Sequence, residues 1–138
     1  MNNKNDALLP RLRLEQLLGR IAEVSDLDYQ RRVWSGAEPN IWSSFSELIN
    51  TIFSDLDAEN LCRTDAKSLG IGEADCRELS AFLTKLDLFA SRLPPYADVG
   101  IVQSYPEWLD LSKNADILAE HLQRYAPTFD RRNYLEGK

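Results

Sequence analysis

The chain is poor in the residues that carry most protein chemistry. Its 138 residues include one histidine, His121, and two cysteines, Cys62 and Cys76. One histidine cannot supply the paired Glu-x-x-His motifs of a ferritin-like di-metal centre. The cysteines have neither C-x-x-C spacing nor a histidine neighbour, so no zinc-binding or disulfide framework is indicated and no metal or other cofactor is expected. Two reduced thiols fit a cytoplasmic setting. The P-loop, the dinucleotide fingerprint, HExxH and GxSxG are all missing. Gly70 and Gly72 precede a helical pattern but follow no strand pattern. No apolar run approaches the about 18 residues that cross a bilayer. The opening MNNKNDALLPRLR lacks an apolar leader, so the whole chain is expected to be the mature chain and no membrane partner is expected.

Positive charge is also short: 16 basic residues face 22 acidic ones, giving a net charge of -6 and a pI near 4.8. A concentrated positive field is what phosphate-backbone binding requires, so nucleic acid is not an expected partner. No segment alternates with period two, and no repeat or low-complexity block is present. With 43% hydrophobic residues the chain can bury one core, and residues 1–138 are read as a single domain.

What is present is helical periodicity. Leu14, Leu17, Leu18, Ile21 and Val24 recur at steps of three and four, predicting a helix over 11–24 with Pro10 in its first turn. Ser25 and Asp28 have capping-box spacing, and Gly36 suits a left-handed closing residue, so 26–34 reads as a second helix. This placement accounts for the YQRRVWSG stretch. Asp26 and Asp28 in the first turn, and Arg31 and Arg32 in the last, oppose the macrodipole, and Asp28 pairs with Arg32 at i,i+4. Val33 and Trp34 then turn toward the core. After the loop 35–44, Ser44 and Glu47 form another box ahead of a third helix over 45–55. The polar stretch 55–75 suggests one helical turn near Leu61 and Cys62 and a break at Gly70 and Gly72.

Two longer seams follow: Cys76, Leu79, Leu83, Leu86, Ala90 and Leu93, then Trp108, Leu111, Ala115, Leu118, Leu122 and Tyr125. Pro94-Pro95 stops the first, and the Ser104 and Glu107 box starts the second. Pro127 ends the last helix. The expected fold is all-α: a bundle of about five helices ending in an antiparallel hairpin. Residues 1–9 and 128–138 are the candidates for flexible ends, the tail being either frayed or folded back through Phe129 and Tyr134.

His121 borders an apolar stripe and reads as a boundary residue; catalysis by it or by Glu78 is the reading with least support, so no enzyme is expected. Charge distribution is more informative. Residues 37–93 hold 10 acidic against 5 basic residues, while 1–36 and 94–138 are close to balance. Asp55, Asp57, Glu59, Asp65, Glu73 and Asp75 concentrate there. A solvated face explains them, and so does a surface for a basic partner, whose encounter complementary potentials would accelerate. Trp42 and Tyr96, in loops, are candidate interface anchors, whereas Trp34 and Trp108 in helical register are candidate core residues.

YQRRVWSG, a loop, SSFSELINTIFSDLD and two long helices together resemble small acidic helical bacterial proteins, some of which act as immunity proteins beside toxins. The resemblance covers the layout of residues 15–125. It implies a cytoplasmic, non-enzymatic protein that neutralises a cognate basic toxin domain, a nuclease among the options. The other reading is a helical adaptor or chaperone-like protein that forms a homodimer through its long helices.

Overall fold

The computed structural model describes residues 3–39, 41–94 and 96–137, all helix, turn or loop. Three long helices form the frame. α1 (Asn3–Ser25) buries Leu14, Leu17, Leu18, Ile21 and Val24, each at most 1% exposed. The predicted stripe is therefore the buried face, but the helix begins earlier than its Pro10 suggested. Pro10 lies inside α1, where it withholds one N–H from the carbonyl four residues back without ending the helix. Residues 3–9, expected as part of a flexible end, continue α1; residues 1 and 2 lie outside the described residues.

α2 (Leu27–Val33) is capped by Asp26, whose carboxylate accepts from the Tyr29 N–H at 2.9 Å. Ser25 is not the cap. It still belongs to α1 and donates to the Ala22 carbonyl at 2.6 Å, so Asp26 is the first residue with extended backbone. Gly36 takes the left-handed conformation expected past the helix end, at φ 81°.

α3 (Phe45–Asn50) starts as predicted, with Ser44 Oγ accepting from the Glu47 N–H at 3.0 Å. It runs on into a π turn, Thr51–Asp55, where the Leu56 N–H reaches back five residues to the Thr51 carbonyl at 2.8 Å. The stretch that follows is more helical than its polar composition suggests. α4 (Ala58–Asn60), a second π turn at Leu61–Asp65 and α5 (Ala66–Leu69) form one continuous run. Gly70, at φ 75°, ends it, and the Ile71 N–H closes back on the Ala66 carbonyl at 2.9 Å.

α6 (Glu73–Arg92) and α8 (Pro106–Leu122) are the predicted antiparallel pair. Leu79, Leu83 and Leu86 face Trp108, Leu111, Ala115, Leu118 and Leu122 in the core, all at most 4% exposed. α6 ends at Arg92, just ahead of Pro94; Pro95 lies outside the described residues. Between the long helices lies the short α7 (Val99–Gln103). The Ser104 cap is overturned: Ser104 Oγ donates to the Ile101 carbonyl, and Tyr105 is the N-cap. Pro106 explains this, because a proline at the first helical position forces the residue before it into extended backbone.

α8 is the central helix, lying against α1 on one side and α6 on the other. The chain end folds back as α9 (Arg131–Leu135) onto α1, which settles the choice posed for the tail; Lys138 lies outside the described residues. Tyr134 lies so close over Gly19 that a Cβ there would stand 2.5 Å from the ring Cζ, so glycine is required by packing. Arg131 fastens the segment by donating to Ser25 Oγ and Asp116 Oδ1, each at 2.6 Å. The five expected helices are thus joined by four short ones, α4, α5, α7 and α9, that periodicity did not disclose. No helix among the described residues is long and apolar enough to cross a membrane.

Candidate functional site

The six acidic residues singled out in the sequence divide into two groups. Asp55, Asp57 and Glu59 lie within five residues at the corner between the first π turn and α4, and all three are exposed. No cation lies within ion-pair distance of them among the described residues. Asp57 sits at φ 47°, a left-handed conformation that aspartate tolerates better than most side chains, and this residue turns the chain through the corner. Glu73 is also exposed, in the first turn of α6, 3.9 Å from Arg77.

Asp65 and Asp75 are engaged internally instead. Asp65 Oδ2 accepts from Arg13 of α1 at 2.6 Å, with the aspartate side chain 16% exposed. Asp75 Oδ2 accepts from the Tyr125 hydroxyl at 2.5 Å and lies 4.0 Å from Arg124. Their sequence neighbours do not reveal this, since the partners come from the first helix and the turn that follows α8. The free negative surface is therefore smaller than the charge count implies.

Tyr96 is 94% exposed and Trp42 74% exposed. Its neighbour Ser43 belongs to a polar cluster that the sequence reading missed. Glu23, on α1, is completely buried. Its Oε2 accepts from Trp34 Nε1 at 2.7 Å and from Ser43 Oγ at 2.5 Å, while Oε1 accepts from Arg20 at 3.1 Å. Arg20 also donates to Ser43 Oγ at 3.2 Å and lies 3.6 Å from Glu47. Ser43 is held inside by these bonds, and its neighbour Trp42 lies outside. The signal was present as Arg20 and Glu23 at i,i+3 beside the buried stripe. Tyr29, close to this cluster, has its phenol pKa raised, first by burial and then by the Glu23 charge.

Tyr96 adopts φ 59° and rims an open groove walled by Phe45, Ile49, Ala90 and Leu93. No ring contact or ion pair joins Trp42, Tyr96 and the 55–59 corner among the described residues. The other two tryptophans behave as expected. Trp108 is fully buried and Trp34 half-buried, in an aromatic cluster with Phe45 and Phe89 whose centroids lie 5.3–6.1 Å apart.

At the opposite end of the α6–α8 pair, His121 Nδ1 lies 2.7 Å from Glu78 Oε1, with Asp75 beside them. The hydrogen bond to Glu78, followed by its charge, raises the imidazole pKa above the ordinary value. The two thiols are unpaired, and burial raises both pKa values, which disfavours the thiolate. The Leu79–Leu86 and Trp108–Leu122 stripes are buried within one chain, so they do not offer the shared seam that a helix-mediated dimer needs. Comparison with protein-family models, curated proteins and solved structures finds no match to this chain.

Proposed function

We propose that this chain is a non-enzymatic protein-binding module of the immunity type, acting in the bacterial cytoplasm. Its partner is a basic toxin domain, whose active site or substrate groove it covers. Asp55, Asp57 and Glu59 steer and orient the encounter, and Trp42, exposed in its loop, supplies an aromatic anchor. The single observation in support is the carboxylate corner at 55–59, three exposed acids with no cation within ion-pair distance among the described residues. Exposed charges contribute little to folding, yet they raise association rates with an oppositely charged surface. An exposed tryptophan buries a large apolar area on docking.

The test is calorimetry at low salt between the full chain and the product of the reading frame beside its own, tested as the basic toxin-like domain. A one-to-one complex that weakens with salt is expected. Absence of binding at low salt contradicts the proposal. The adaptor reading has no observation in its favour, because the stripes it would share are already occupied.

A further inference from the structure

We propose that Asp75, Glu78 and His121 form a mononuclear site for a transition-metal dication of the zinc class, joining the start of α6 to the end of α8. This stands independently of the acidic corner. Asp75 and Glu78 are three residues apart on α6, so one helical face carries both carboxylates. α8 brings His121 against them from 43 residues away, beyond the reach of any local motif. One ligand atom from each residue lies within 4.8 Å of the other two. Zinc holds nitrogen and oxygen ligands at about 2.0–2.2 Å, which separates tetrahedral neighbours by about 3.4 Å. Binding an ion requires side-chain rotation to close the difference.

The donor set selects the ion. An imidazole with two carboxylates suits zinc, cobalt or nickel, whereas calcium and magnesium favour all-oxygen sites. The ligands are also held from behind. The Tyr125 hydroxyl donates to Asp75 Oδ2 and accepts the Gly72 N–H at 3.1 Å, leaving Asp75 Oδ1 available to an ion. The Asp75 side chain is only 13% exposed, and its nearest arginine nitrogen, on Arg124, stands 4.0 Å away on a largely exposed side chain. A dication supplies positive charge between two carboxylates, of which Arg124 approaches Asp75 alone among the ion pairs of the described residues. Three protein ligands leave the remaining positions to water.

The competing ligands are the thiols Cys62 and Cys76, the latter next to Asp75 in sequence. The experiment is a calorimetric titration of Zn2+ into the full chain after treatment with chelator, with Co2+ absorption as a second readout. One ion per chain is expected, unchanged in a Cys62→Ser, Cys76→Ser variant and abolished in His121→Gln. Tyr125→Phe should weaken binding about 10-fold, the ordinary effect of losing an outer hydrogen bond to a ligand. Glu78→Gln, which preserves shape and can still hydrogen-bond His121, should also weaken it and keeps the test decisive if His121→Gln loses helical content. Loss of binding on cysteine replacement, equal binding of Ca2+ and Zn2+, or no heat and no thermal shift with millimolar Zn2+ would each overturn the site.

Discussion

The interior behind Trp108 and the corner at 55–59 treat polar groups in opposite ways. In the interior the buried side-chain nitrogens and oxygens of the described residues are all answered. Gln30, fully buried, donates to the Glu23 and Val24 carbonyls at 2.7 and 2.9 Å, and its Oε1 accepts from Trp108 Nε1 at 2.9 Å and Gln103 Nε2 at 3.0 Å. Glu23 is similarly saturated, and no buried side-chain nitrogen or oxygen among the described residues lacks a partner. At the corner three carboxylates stand in water without cations. An unanswered polar group is costly inside and nearly free outside. The interior therefore serves stability, and the corner has charge to spare for something other than folding.

The largest expected effect tests the interior. Trp108→Ala should cost about 3–5 kcal/mol, the usual range for truncating a buried aromatic. It also removes one donor from Gln30, and chemical unfolding would measure the total. A loss below about 1 kcal/mol would show that the ring is dispensable and break the contrast. Glu23→Ala should cost about 3 kcal/mol, because it strands Arg20, Trp34 Nε1 and Ser43 after removing their shared acceptor. It should also make the loop around Ser43 more susceptible to limited proteolysis than in the wild type.

The His121–Glu78 contact is intermediate between the two regions, being polar but half exposed. Its folded-state imidazole pKa is raised, so its contribution is present below the ordinary histidine value and disappears as pH rises through the folded value. With chelator present, the melting-temperature difference between wild type and His121→Gln should be larger at pH 5.5 than at pH 8.5. The Asp75 charge adds to the upward shift and Arg124 opposes it. A difference that grows with pH would contradict the assignment.

The contrast between regions also governs what the sequence disclosed. The α6 and α8 seams were legible because Leu79, Leu83, Leu86, Leu111, Leu118 and Leu122 keep the helical period and bury hydrocarbon. Ser44 was legible because its cap bond is local. The run from Ala58 to Leu69 was not, since the π turn at Leu61–Asp65 inserts a residue. The step from Leu61 to Ala66, both buried, is five residues and falls outside a period of 3.6. The ends of α1 and α8 were misplaced because Pro10 is tolerated within a helix and Pro106 overrides the serine before it. The site was legible only in part. Composition located the acidic stretch, but pairing removed Asp65 and Asp75 through Arg13 and Tyr125, partners 52 and 50 residues away. Glu23 and the Asp75–Glu78–His121 group depend on tertiary contacts and leave only faint local traces.

The smallest expected effect on folding belongs to the corner. Replacing Asp55, Asp57 and Glu59 with Asn, Asn and Gln should change stability by no more than about 0.5 kcal/mol. The same variant gives the most direct test of function when its association rate with the basic toxin-like domain is followed by stopped flow. At low salt the variant should associate about tenfold more slowly than wild type, and the two rates should converge as salt screens the field. Equal rates at low salt would contradict the account.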